Sequence, residues 1–333
     1  MNPSLALVAD IGGTNARFAL ADVSLPAPLL LDTARQLEVK EFPSLVDAAQ
    51  HYLDVLRPGT GAVGKGVFAV AGRVDGDQAR ITNHPWLISR AATATALGMH
   101  AFHLVNDFTA QAMAVELLTD DDLLVVGHVP RTVSSARSRT YGVIGPGTGL
   151  GVSALVVRNG QSFALETEGG HVGFSPSTPE EMEILQEVSR EFGRVSDERL
   201  LSGRGLSNIH QALARLSGDS HAQALQPQEI TERARQGDAT CVQAVQTFCA
   251  VFGSIAGDLV LTLGAWDGVF LTGGLVPKLL PELQAPVFRE RFEAKGRFSS
   301  AMAAVPTLAV VHPQAGLLGA AAPARNIIVW ERL

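Results

Sequence analysis

Cysteine is nearly absent from this chain: 333 residues contain two, Cys241 and Cys249. They stand eight positions apart in a stretch of helical character, about 12 Å by helix rise. That is too far for a disulfide, and the spacing fits no metal site. Two buried, reduced thiols are expected, which suits a cytoplasmic protein. Excess positive charge is also missing. Lys and Arg number 26 against 33 Asp and Glu, a net charge of −7. That balance disfavours a nucleic-acid or anionic-membrane partner and leaves room only for a local basic pocket. The first residues, MNPSLALVADIGG, lack a basic region, and Asp10 interrupts their apolar run, so no signal peptide is expected. No stretch is expected to reach the uncharged length of a bilayer span. Gly and Pro are frequent but dispersed, which excludes a low-complexity chain. What remains is 46% apolar composition over a length that suits two domains.

The chain opens with a buried strand, LALVA (5–9), a glycine-rich turn, DIGGTN (10–15), and a returning strand, ARFALA (16–21). This pattern predicts a β-hairpin. Residues 44–56 predict an amphipathic helix capped by Ser44. VFAVA (67–71) reads as a buried strand, and HLV (103–105) as a short one running into Asn106-Asp107 and a helix over 108–118. The opening pattern then recurs. YGVI (141–144) is a strand, GPGTG (145–149) a tip, and 150–157 a returning strand; later VFLT (269–272) leads into Gly273-Gly274 and a helix. The repetition predicts two related α/β domains. Long helices are expected over 179–193, 204–217 and 239–264, and the polar residues 119–140 are expected to join the domains.

Either glycine tip alone reads as a tight turn. Two tips with the same grammar, one carrying Asp10, read as phosphate-binding loops. Glycine permits positive φ and close approach of a phosphate, Thr adds a hydroxyl, and successive N–H groups form an anion nest. Asp10 is a partner for phosphate-bound Mg²⁺, directly or through water. Two decoys fail. GTGAVGK (59–65) matches P-loop spacing, but Gly66 replaces the Mg²⁺-binding hydroxyl and the flanking elements are reversed. GPGTGLG (145–151) lacks the third glycine of a dinucleotide fingerprint and precedes a strand, which argues against a nicotinamide enzyme. Asn106-Asp107 sits between strand and helix, where a helix cap and a general base are equally expected. EGGH (168–171) reads as a polar loop or a sugar-hydroxyl site, and Ser196 reads as the cap of a helix holding Glu198.

Seven motifs stand in the order found in one family: DIGGTNAR (10–17), TNHPW (82–86), NDFTA (106–110), GPGTGLG (145–151), EGGHV (168–172), LSGRGL (201–206) and TGGLV (272–276). From about residue 5 to 325 the chain resembles the bacterial, proteobacterial-type glucokinases of the hexokinase and actin-like ATPase superfamily. The resemblance implies an α/β fold of two ribonuclease-H-like domains flanking a deep cleft. The small domain takes residues 1–118 plus about 312–333, and the large one 119–311. It implies ATP with Mg²⁺, glucose as substrate, phosphoryl transfer to the 6-hydroxyl on domain closure, and a homodimer. Asp10, Gly12, Gly13, Thr14 and Asn15 would form the first phosphate loop, with Asp10 toward Mg²⁺. Gly147, Thr148 and Gly149 would form the second, with Gly273 and Gly274 by the adenosine. Asn106, Asp107, Glu168, His171 and Glu198 would hold the sugar, with Asp107 as base and Thr82 and Asn83 lining the sugar side.

Two positions depart from the family: Arg204 replaces a usual Pro and Gly173 a common Asp. Both lie near sugar motifs, so the rival readings concern the sugar: another hexose, an amino sugar, or a silent sugar-binding paralogue. A sugar-responsive repressor is disfavoured, because the hairpin starts at residue 5 and two cysteines cannot build the zinc motif common in such relatives.

Overall fold

The computed structural model describes residues 4–56, 63–81, 84–131, 136–219 and 223–325. The chain forms two compact units, Met1–Thr119 with Phe163–Glu166 and His312–Leu333, and Asp120–Ser162 with Thr167–Val311. The first begins with β1 (Leu5–Ile11), β2 (Asn15–Asp22), β3 (Leu29–Glu38), α1 (Leu45–His51) and β4 (Lys65–Val70). A small meander follows, β5 (Val74–Asp75), β6 (Gln78–Arg80) and β7 (Leu87–Ser89), and then α2 (Arg90–Ala96), β8 (Ala101–Asn106) and α3 (Asp107–Ala114). The chain then forms β9 (Leu123–Val125), β10 (Ser138–Pro146), β11 (Leu150–Arg158), β12 (Gln161–Leu165), α4 (Pro179–Phe192) and α5 (Gly203–Leu216), all in the second unit except the last three residues of β12. It continues through α6 (Pro227–Arg235), α7 (Ala239–Leu263), β13 (Val269–Leu271), α8 (Leu280–Leu283), α9 (Pro286–Glu293), α10 (Ser299–Met302) and β14 (Thr307–Val310). Helix α11 (Ala315–Arg325) returns to the first unit.

Among the described residues the main sheets run β3-β2-β1-β4-β8 and β12-β11-β10-β13-β14-β9. In each, an antiparallel hairpin (β1–β2, β10–β11) is extended by two parallel strands (β4 and β8, β13 and β14). The two units therefore repeat one topology, as the recurring strand–turn–strand pattern predicts. Residues 119–140 are more than a connection, since they contain β9 and the start of β10. After Gly273-Gly274 the chain turns irregularly and reaches a helix only at Leu280.

Strand β1 shows why the first unit is layered. Its side chains alternate between two cores. Leu5, Leu7, Ala9 and Ile11 join Phe18, Tyr52 and Phe68, while Ala6 and Val8 join Ala19, Ala21, Ala69 and α11. The second face is built from small residues, so helices approach closely. A Cβ on Gly319 of α11 would lie 2.3 Å from the Ala110 carbonyl oxygen of α3. That docks α11 on the first unit.

Helix α7 corrects the expectation that no stretch is long enough for a bilayer. Its 25 residues are long and apolar enough by length and composition, but most of that apolar stretch is buried inside the second unit. A helix apolar on every side belongs in a protein core as readily as in lipid. Cys241 and Cys249 are buried on it as free thiols, and burial pushes Cys241 up to about 11 and Cys249 up to about 12. Gly253 and Gly257 bring α7 against the backbone of α9: a Cβ at Gly253 would lie 2.0 Å from the Phe288 carbonyl oxygen. Gly253→Ala should therefore lower stability by about 1–3 kcal/mol through overpacking. Thermal unfolding checks this, and an unchanged melting temperature would show that the contact can relax without cost.

Candidate active site

In the first unit, β1, β4 and β8 run parallel with Ile11, Val70 and Asn106 in register. Their C-terminal ends share one sheet edge, the usual address of ligand sites in α/β folds. Two strand spacings separate Ile11 from Asn106, about 10 Å. The Gly12-Gly13-Thr14 tip and the Asn106-Asp107 corner are thus neighbours on that edge. The tip is closed by Gly12 N–H donating to Asn15 O (2.9 Å) and anchored by Val39 N–H donating to Thr14 O (3.0 Å). Thr14 is exposed, and Gln36 Nε2 donates to Asn15 Oδ1 (3.1 Å).

Asp10 lies opposite Arg17 across the hairpin, and Arg17 Nη1 donates to its Oδ2 at 3.2 Å. Burial raises the Asp10 carboxyl above the usual carboxylate range, against the lowering effect of Arg17. The carboxylate also packs on the first turn of α11, where a Cβ on Gly316 would lie 2.4 Å from Oδ2. Gly316 was not legible as a site residue. It is 306 positions from Asp10, and only the docking of α11 joins them.

The strand-to-helix corner separates the two roles that sequence left open. Asn106 is the cap: its Oδ1 accepts from Phe108 N–H (2.9 Å) and Thr109 N–H (3.2 Å), and its Nδ2 donates to Gly72 O (3.1 Å). Asp107 is the first residue of α3, with Oδ1 accepting from Phe108 N–H at 3.0 Å, and is half-buried. Asn83 and Thr82 lie outside the described residues.

The second unit gathers its expected residues at the corresponding edge, where Ile144 and Leu271 are in register. Gly147 N–H donates to Gly149 O (2.8 Å), which closes the tip, and Thr148 is exposed. None of Gly12, Gly13, Gly147 and Gly149 takes a positive φ. Their expected conformational role is therefore corrected, and crowding explains Gly149: a Cβ there would lie 2.5 Å from Glu198 Oε2. Gly273 does require glycine, with φ +86° and a Cβ position 2.6 Å from Pro146 O. Leu275 N–H donates to Pro146 O (3.1 Å), so the Gly273-Gly274 turn abuts the tip.

Glu198 belongs to this cluster, because Leu150 N–H donates to its Oε2 at 3.0 Å. Glu168 and His171 flank a 3-10 turn, both exposed, and a Cβ on Gly170 of that turn would lie 2.0 Å from Leu150 O. Residues 172–174 then pair with 195–197, through Asp197 N–H donating to Val172 O (2.9 Å) and Phe174 N–H donating to Val195 O (3.1 Å). Ser196 makes no side-chain cap bond, contrary to the sequence reading, because a three-residue 3-10 turn follows it instead of a full helix. Ser202 is the cap here, accepting from Gly205 N–H (3.0 Å) at the start of α5. Gly203 N–H donates to Gly147 O (2.9 Å), which ties α5 to the tip. Of the two departures, Arg204 occupies the first turn of α5 with its guanidinium 5.9 Å from the Phe192 ring centroid, and Gly173 bridges to Ser196.

Comparison with known proteins finds relatives over nearly the whole chain. The glucokinase family model matches residues 7–327. A glucokinase of Stenotrophomonas maltophilia strain K279a is 60% identical over 326 residues, which span 98% of this chain and 96% of that protein. One from Xanthomonas campestris pv. campestris strain B100 is 61% identical over 317 residues, 95% of this chain and 93% of that protein. Among solved structures, a glucokinase from an Antarctic psychrotroph is 33% identical with a TM-score of 0.86, covering 97% of this chain and 99% of that one.

Sequence gave no sign of the environment of Asp197, beside Glu198. Its carboxyl is pushed up to about 7 by burial and by repulsion from Asp258, partly offset by Arg194. Below that value the folded chain holds a proton that the unfolded chain releases near 3.8. This group's contribution to stability is therefore full below pH 4, falls as pH rises from about 4 to 7, and is absent above. Asp197→Asn should erase it. The melting temperature of the variant should match the parent below about pH 4, exceed it increasingly as pH rises to about 7, and keep a constant lead above. Parallel profiles for the two proteins would contradict the assignment.

Proposed function

The chain belongs to the glucokinase family, and from that premise we propose that it transfers the γ-phosphoryl group of ATP to the 6-hydroxyl of D-glucose. The products are glucose 6-phosphate and ADP, and the reaction feeds glucose into glycolysis. The observation that carries this reading is the division of labour at the strand-to-helix corner. Asn106 does the capping, so the cap does not explain the acid at position 107. Asp107 stands on the same sheet edge as a tip of glycine and threonine, two strand spacings away, as suits a base beside a phosphate loop.

In the mechanism we propose, Asp107 accepts the proton of the 6-hydroxyl as that oxygen attacks phosphorus. Positioning and electrostatics supply most of the rate, so a carboxylate suffices as base. Asn106, Asn83, Glu168, His171 and Glu198 bind the sugar hydroxyls. The first tip, Gly12, Gly13, Thr14 and Asn15, and the second, Gly147, Thr148 and Gly149, bind the phosphates through the N–H groups that their own turns leave open, with Gly273 and Gly274 beside the adenosine.

Among the described residues no three His, Cys, Asp or Glu side chains converge on a metal site. A magnesium ion that arrives with ATP needs only one or two carboxylates, with phosphates and water completing its shell. Asp10 fits that demand, since its side chain is 21% exposed at the tip. When bound, Mg²⁺ neutralises charge developing on the phosphoryl oxygens. The homodimer rests on the same family premise, and the two buried free thiols suit a cytoplasmic protein.

A coupled ADP-release assay tests the base. Asp107→Ala should lower kcat about 10²–10⁴-fold, the usual weight of general-base catalysis, with little change in melting temperature. Near-normal turnover would remove Asp107 from that role.

A further inference from the structure

We propose that Arg194 is a positioning residue for the sugar, fixing the backbone that presents His171. The inference rests on the functional reading above. Helix α4 ends at Gly193, whose positive φ of 68° turns the chain sharply. Arg194 follows at once, and its Nη2 donates to the His171 carbonyl oxygen at 2.7 Å. The bonds of Val172 O to Asp197 N–H and of Phe174 N–H to Val195 O continue the same clasp. Both of those are made between backbone groups, and such bonds persist whatever side chains the two segments carry. The hold on His171 is different in kind, because a charged side chain makes it.

The position of the clasp gives it leverage on the sugar. One segment carries Glu168 and His171 into residues 172–174, and the other carries residues 195–197 into Glu198. Glu198 is itself tied to the turn after the second tip through Leu150 N–H. Arg194 thus joins the turn bearing His171 to the segment bearing Glu198. It is exposed, and so is His171. The same guanidinium also partly offsets the burial of the Asp197 carboxyl. Arg194 touches the turn through its backbone and not the reacting atoms. Its loss should loosen sugar binding and leave the phosphoryl-transfer step intact.

Steady-state kinetics on the full-length parent, Arg194→Ala and Arg194→Lys, with thermal melts of each, test this. Arg194→Ala should raise the KM for glucose about tenfold, the effect of losing one hydrogen bond from a charged donor. Its kcat, ATP KM and melting temperature should stay near those of the parent. Arg194→Lys, which keeps a cationic N–H donor, should recover most of the glucose affinity. An unchanged glucose KM in Arg194→Ala, a loss that lysine does not recover, or a joint fall of kcat and melting temperature would overturn the proposal. A parent protein that fails to phosphorylate glucose would instead overturn the functional reading.

Discussion

Leu150 holds the second unit's site together. Its N–H donates to Glu198 at 3.0 Å, and its carbonyl oxygen occupies the space that a side chain on Gly170 would need. The second glycine tip, the Glu198 carboxylate and the turn bearing His171 all converge on the two sides of this one peptide group. Such approaches favour glycine: a Cβ at Gly170 would lie 2.0 Å from the Leu150 backbone oxygen, and one at Gly149, 2.5 Å from Glu198 Oε2, would displace that carboxylate. The motifs GTG and EGG are therefore connected. Each glycine makes room for the neighbour that another motif supplies.

The first unit answers the same problem differently. Its tip is held by the hairpin ladder and by Asp10, which Arg17 engages from the adjacent strand and Gly316 admits from α11. Small residues on that face of β1, β2 and β4 let α11 settle onto the sheet. The last described helix thereby supports the carboxylate of Asp10, far from it in sequence. Both units place their site at the edge where parallel strands end, which follows from sharing one strand order.

Much of this was legible in the sequence. The hairpins, the recurrence of the pattern and the strand-to-helix corner at Asn106 follow from local periodicity and turn chemistry. Four features did not. Asn106 and Asp107 are both good caps by composition, and only the bonds from Phe108 and Thr109 assign the role. The site glycines were expected to adopt positive φ, but apart from Gly273 their backbone is ordinary, and for Gly149 the reason lies 49 positions away in Glu198. Helix α7 reaches a membrane-spanning length because it runs through a core, and core and bilayer select the same composition. Arg194 and Gly316 carry no local signal, since each acts on a partner that only tertiary structure brings near.

The central claim is that this fold phosphorylates the 6-hydroxyl of glucose with ATP. Its most direct test identifies the product. Incubation with ATP, Mg²⁺ and glucose, followed by phosphorus and carbon NMR of the sugar, should show one new phosphoester at carbon 6 and one ADP per ester formed. The same incubation with 6-deoxyglucose should give no sugar phosphate. A phosphoester at another carbon, or ATP consumed without any sugar phosphate, would contradict the account.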